Sequence, residues 1–238
     1  MTMRAYGVPI QERAFELSPD FSIASLDDDR MKTRTASKAR RAGLSEEDYI
    51  AALGKIWDRR SEVPKKIAAV AKLAQGAGAP MLSHDDTRAE TREYFRGLGA
   101  AVAEFPMVME AALAARAEGD TIIFGAPNAV RGGSHIGSLG AGDMVEAGLC
   151  DVLASDYFYP AMLAAIAQLD REKRADRLQL WSLVSSGPAR AMNLADRGEI
   201  AVGKRADLVL VDWPEASVPA IKGTWVAGRC AYLSNPAG

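Results

Sequence analysis

Thr121-Ile-Ile-Phe124 runs directly into Gly125-Ala-Pro-Asn-Ala-Val-Arg-Gly-Gly-Ser-His135, and this junction decides how the chain is read. An apolar, strand-like run delivers Asn128, Arg131, Ser134 and His135 around the pair Gly132-Gly133. Glycine lets backbone N–H groups approach a ligand closely, and arginine adds a forked cation of fixed charge. A strand that empties into such a loop has the makings of an oxyanion or phosphate site, and equally those of a surface turn.

Outward from this junction the same unit recurs. Upstream, Pro80-Met-Leu-Ser-His84 is a short apolar strand that ends on His84, Asp85 and Asp86. Helical spacing over 88–98, a strand over 101–105 and a second helix over 108–117 lead to Thr121. Downstream, a short helix over 142–147 precedes Asp151-Val-Leu-Ala-Ser-Asp156-Tyr, another strand ending on an acid. Further back, Phe21-Ser-Ile-Ala-Ser-Leu26 alternates and stops at Asp27-Asp28-Asp29. Those carboxylates suit either a divalent cation or a solvated loop or cap. Ser45-Glu-Glu-Asp48 starts a helix that continues to about residue 74, with Pro64 breaking or restarting it.

Strand and helix thus alternate every 20 to 30 residues, which predicts a parallel β/α construction. The chemically suggestive groups fall just past strand C-termini, where the functional loops of parallel sheets gather. Five candidate strands cannot close an eight-stranded barrel, so an open sheet or a partial barrel is expected. Beyond Asp156 the spacing is helical over 159–169, 178–185 and 187–190. The period then changes: 197–203, 206–212 and 221–233 read as short antiparallel strands between Gly and Pro turns. The expected division is a poorly patterned segment 1–19, a β/α part 20–196 and an all-β part 197–238.

Composition excludes several classes. The 238 residues can bury a full core, and the net charge of −2 gives no general attraction to nucleic acid or anionic membrane. The basic run from Arg30 to Arg41 lacks the interleaved aromatics of a single-strand binder. No apolar run approaches a membrane span, the first residues lack a signal-peptide core, and two cysteines make no disulfide framework. A reducing cytoplasm is the expected location.

The tail Gly198-Glu-Ile-Ala-Val-Gly203-Lys-Arg-Ala-Asp207-Leu-Val-Leu-Val-Asp212, with Thr224-Trp-Val-Ala-Gly228, resembles the end of an amidohydrolase-superfamily enzyme, where it belongs to a small β-sandwich beside a metal-dependent barrel. Ser83-His-Asp-Asp86, Ala103-Glu-Phe-Pro106, Gly125-Ala-Pro-Asn128, Arg131-Gly-Gly-Ser-His135 and Ala154-Ser-Asp-Tyr157 are similar to the PhnM family of phosphonate-metabolism hydrolases. The resemblance implies a partial (β/α)8 TIM-like barrel, about strands four to eight, with a C-terminal piece of the sandwich. It implies hydrolysis of α-D-ribose 1-methylphosphonate 5-triphosphate to the 5-phosphate and pyrophosphate, with a divalent metal, zinc being expected. His84 then matches the metal-ligand histidine of the fifth strand, and Asp156 the acid of the eighth, which accepts a proton from metal-bound water.

By the same resemblance Asn128, Arg131, Gly132, Gly133, Ser134 and His135 would hold the phosphate or phosphonate oxygens. Asp85 and Asp86 would support the metal or a second one, and Asp29 stands where a histidine is expected. The first three barrel strands and their histidine motifs find no counterpart, and two histidines cannot build a His-rich dinuclear site. Three readings follow: a hydrolase of this family, incomplete or degenerate in this chain; a non-catalytic binder of phosphorylated sugars or a structural partner; or an amidohydrolase acting on C–N bonds. An open barrel would also expose apolar edges and favour a homo-oligomer or a complementing chain.

Overall fold

The computed structural model describes residues 36, 38–58, 60–132, 139–214 and 217–234. The expected strand over 21–26 and its acids, Asp29 among them, lie outside these residues, as do Gly133, Ser134 and His135.

Helical segments lead in. Helix α1 (Glu46–Trp57) starts where Ser45 Oγ accepts the N–H of Asp48 at 3.0 Å and donates to its carboxylate at 2.7 Å, so the first turn is capped reciprocally. A 3-10 turn (Arg60–Glu62) separates it from α2 (Val63–Gly76), and Pro64 sits in the first turn of α2, where its missing N–H costs nothing. Proline here restarts the helix.

Four β/α steps follow. Strand β1 (Leu82–His84) feeds α3 (Ala89–Gly97), and β2 (Val102–Glu104) feeds α4 (Met109–Ala117). Strand β3 (Thr121–Gly125) passes directly into α5 (Ala126–Arg131), then α6 (Ala141–Glu146). Strand β4 (Val152–Ala154) is followed by α7 (Ala161–Arg171), α8 (Arg177–Ser182) and α9 (Ser186–Ala191). The strands form one parallel sheet in the order β1-β2-β3-β4. The α/β class and the parallel sheet expected from the rhythm are present.

The two faces of this sheet differ. Ala103, Ile122, Phe124 and Leu153 point to the helical side and join a buried core with Ala115, Val145, Ile166, Leu169 and Leu180. Leu82, Val102, Ile123 and Val152 point the other way and pack with Ala191. Successive strand residues alternate between faces, so His84 and Glu104, each two residues on from a member of the second set, share its face.

The ends of the sheet differ too. At the strand N-termini, Asp120 and Asp151 stand immediately before β3 and β4, and each is paired with arginine from an earlier helix. Arg92 and Arg96 of α3 reach Asp120, and Arg116 of α4 reaches Asp151 with both carboxylate oxygens at 2.9 Å. Asp151 also accepts the Ile122 N–H at 2.8 Å. That end is clamped. At the strand C-termini, Asp85, Phe105 and Asp156 all take left-handed backbone angles, φ 59°, 55° and 50°, so the chain turns sharply as it leaves β1, β2 and β4. Non-glycine residues adopt this region sparingly, and they gather at functional sites.

Two sequence expectations are corrected. The segment after Phe124 is not an open loop: Pro127 lies in the first turn of α5, and Gly132, at φ 72°, closes that helix in the left-handed conformation. Residues 197–203 are not a strand: they turn, with Arg197 bound to Asp196 and Asp207, and Lys204 to the Ala195 carbonyl. The antiparallel sheet holds β5 (Leu208–Asp212), β6 (Ala220–Val226) and β7 (Arg229–Leu233) in that order. All five residues of β7 are exposed, and Val209, Leu210, Val226, Tyr232 and Leu233 face solvent among the described residues.

Candidate functional site at the strand C-termini

His84 ends β1, and the register pairs it with Glu104, the last residue of β2. Its Nδ1 lies 3.0 Å from Asp85 Oδ2 and its Nε2 lies 3.8 Å from Glu104 Oε2, all three side chains being 14–18% exposed. The Phe105 ring stands edge-on to the imidazole, centroids 5.2 Å apart, and fixes its plane. The Nδ1 edge of the ring faces one carboxylate and the Nε2 edge another. Such a pair can share a proton or a bound cation, and carboxylate–imidazole pairing of this kind orients metal-bound histidines.

Asp86 takes no part in this pair. It is 1% exposed, accepts from Ser83 Oγ at 2.5 Å, and lies 3.4 Å from Arg92 Nη1. Arg92 also donates to Ser83 Oγ and to the carbonyls of Ala100 and Val102, and its Nε approaches Asp120 at 3.3 Å. Burial raises the Asp86 carboxyl above the ordinary carboxylate range against the opposing pull of Ser83 and Arg92, and burial likewise lowers Arg92. This network anchors the end of β1 from beneath.

Along the rim, a Cβ on Gly125 would lie 3.7 Å from the Phe105 ring, so the start of α5 borders the His84 group. Asn128 Oδ1 accepts the Ala141 N–H at 3.3 Å and so ties α5 to α6. Arg131, the last residue of α5, is exposed, and its guanidinium carbon lies 5.5 Å from the centroid of the Tyr157 ring. Tyr157 follows Asp156, which is exposed in the turn after β4. Helix α7 begins four residues beyond that turn with Pro160 at its N-cap, so Asp156 is not the cap of the following helix.

The residues singled out in the sequence therefore leave the same end of one parallel sheet: His84 and Asp85 from β1, Asn128, Arg131 and Gly132 through α5 from β3, and Asp156 from β4. Glu104 is the group that the sequence reading passed over. Its signal was its place one residue before Phe105, at the same strand end as His84 in the neighbouring unit.

A metal fits this donor set only in part. His84 Nε2 and Glu104 offer two ligands, but no three His, Cys, Asp or Glu side chains gather into a metal cage among the described residues.

A parallel β/α sheet with polar and charged groups at the strand C-termini is a framework that barrels and open parallel sheets share. The chain belongs to the amidohydrolase family, whose model matches residues 28–232. It is 44% identical over 166 residues to the α-D-ribose 1-methylphosphonate 5-triphosphate diphosphatase of Escherichia coli (strain K12), an overlap of 68% of this chain and 43% of that protein. The chain thus spans less than half the length of that relative. Among solved structures it resembles a prolidase complexed with N-methylphosphonate-L-proline, at TM-score 0.55 and 16% identity, covering 72% of this chain and 49% of that one. It also resembles the β-aspartyl dipeptidase of Fervidobacterium islandicum AW-1, at TM-score 0.53 and 17% identity, covering 74% and 56%. These two likenesses speak to the fold alone. No helix among the described residues is long and apolar enough to cross a membrane.

Proposed function

We propose that this chain acts in phosphonate catabolism as a PhnM-like hydrolase, cleaving α-D-ribose 1-methylphosphonate 5-triphosphate to the 5-phosphate and pyrophosphate. The observation that carries this reading is the 44% identity to the E. coli diphosphatase. Sheet β1–β4 would be the later strands of a (β/α)8 barrel within 20–196, and β5–β7 part of a sandwich within 197–238. His84 and Glu104 would hold one divalent cation, zinc being the expected metal, with the remaining ligands supplied from outside the described residues or from a second chain. Such a cation, when bound, would make a water nucleophilic and polarise a phosphoryl oxygen.

The chain's own groups divide the remaining work. Asp85 orients the His84 ring, Arg131 offers positive charge to the triphosphate beside Gly132, and Asp156 stands at the rim as the proton acceptor. Phosphoryl transfer depends mainly on such positioning and charge stabilisation. The test is phosphorus NMR of the ribose triphosphate incubated with the chain and Zn²⁺ or Mn²⁺. Pyrophosphate and 5-phosphate resonances should grow together and fail to grow with Asp156→Asn. Hydrolysis of a cyclic imide with no pyrophosphate formed would favour an amidohydrolase acting on C–N bonds instead.

A further inference from the structure

We infer that Tyr157 is a positioning residue for the phosphate-binding arginine, an inference that rests on the reading of Arg131 as a phosphate contact. The Arg131 guanidinium carbon stands 5.5 Å from the Tyr157 ring centroid, although the two residues come from different strand ends. Arg131 closes α5, where a cation is favoured by the partial negative charge of the helix C-terminus. Tyr157 is held by the turn after β4, in which Phe158 donates its N–H to the Ser155 carbonyl at 2.9 Å and Asp156 takes φ 50°.

An aromatic face attracts the π-face of a guanidinium and leaves the in-plane N–H groups at its edge able to bind oxyanions. Attraction to the ring and phosphate recognition therefore use different parts of the same group. Tyr157 is 59% exposed and is not part of the buried core, so its worth lies in what it holds. A guanidinium held within cation–π reach of a ring has less freedom to lose when a phosphate binds, and that lost freedom is a main cost of association. Tyr157 also follows Asp156 directly, so the same turn that presents the acid sets the direction of the arginine.

The experiment compares the full chain with Tyr157→Phe, Tyr157→Leu and Arg131→Gln, with inorganic tripolyphosphate as the probe in calorimetric titrations and the Arg131 Nε–H signal followed by NMR. Wild type and Tyr157→Phe should show a ring-current shift of the Arg131 signal and equal affinity. Tyr157→Leu should lose the shift, bind about fivefold more weakly and melt at the same temperature. Arg131→Gln should bind more weakly still. If Tyr157→Leu binds tripolyphosphate as well as wild type does, the positioning role is overturned. If wild type and Arg131→Gln bind it alike, the reading of Arg131 as a phosphate contact fails first, and the role of Tyr157 with it.

Discussion

Nε2 of His84 and Oε2 of Glu104 face each other 3.8 Å apart across paired strand ends, while Nδ1 of the same ring lies 3.0 Å from Asp85. A single imidazole is thus bracketed by two carboxylates at the C-terminal end of the parallel sheet. Glu104→Gln removes the charge and keeps the shape. It should weaken Zn²⁺ or Mn²⁺ binding in calorimetric titration, with no loss of secondary structure by circular dichroism. Asp85→Asn, which removes the partner that orients the ring, should weaken it by about 10- to 100-fold, and Glu104→Gln, which removes a ligand, by at least as much.

Arg92 is buried between Asp86 and Asp120, whose side chains are both 1% exposed. Arg92→Met would leave Asp86 without its cation and Asp120 with Arg96 alone, in a medium that solvates charge poorly. Breaking a buried pair in this way costs about 3–5 kcal/mol. Urea unfolding should show that loss as a lower midpoint, whereas removing the half-exposed partner in Arg96→Met should cost less.

Gly187 lies where α9 meets the start of β4. A Cβ there would stand 2.3 Å from the Asp151 carbonyl and 2.8 Å from that of Ser182, both backbone atoms that cannot swing aside. Gly187→Ala should destabilise by about 1–3 kcal/mol in urea titrations, as overpacking does. Gly132→Ala meets no neighbour but must hold φ 72°, and should cost only about 1 kcal/mol.

Cys150 is fully buried, and that burial, reinforced by the neighbouring Asp151 carboxylate, pushes its thiol up to about 12 from the ordinary 9.0. The folded chain keeps this proton at a pH where the unfolded chain has released it. The stability this group contributes is therefore full below pH 9 and is lost as pH rises from about 9 to about 12. Cys230 is exposed. At pH 8 a disulfide reagent should label one thiol per native chain and two after denaturation, and Cys150→Ser should flatten the alkaline part of the decline.

The three-stranded sheet exposes apolar side chains on β5, β6 and β7, from Val209 and Leu210 to Tyr232 and Leu233. Surfaces of this kind associate. Light scattering at micromolar concentration should report species larger than one chain, and Leu210→Lys with Tyr232→Lys should reduce them. A monodisperse, cooperatively melting wild-type monomer would contradict that expectation.

Much of this architecture is legible in the sequence because each β/α unit carries its own local signals. Periodicity marks β1, β2 and β3 to within a residue or two, and Ser45 and Pro64 mark the helix starts. Local signals failed where tertiary contacts decide. Gly125 to Arg131 reads as a loop from its glycines and proline, yet Pro127 is well placed in a first helical turn and Gly132 supplies the cap. Residues 197–203 alternate like a strand, but paired Arg197 and Lys204 hold them in a turn. Glu104 gave no sign of pairing with His84, because register between strands twenty residues apart is set by the sheet and not by spacing. Asp86, adjacent to Asp85 in sequence, serves the opposite face, since its partner Arg92 arrives from the next helix.

A crystal of the chain grown with Mn²⁺ and tripolyphosphate would test the proposed strand-end site most directly. An anomalous peak about 2.0–2.2 Å from both His84 Nε2 and a Glu104 carboxylate oxygen, with phosphate density against Arg131, is the expected result. A manganese peak bound away from His84 and Glu104, or phosphate seated at the arginine-clamped end of the sheet, would contradict it.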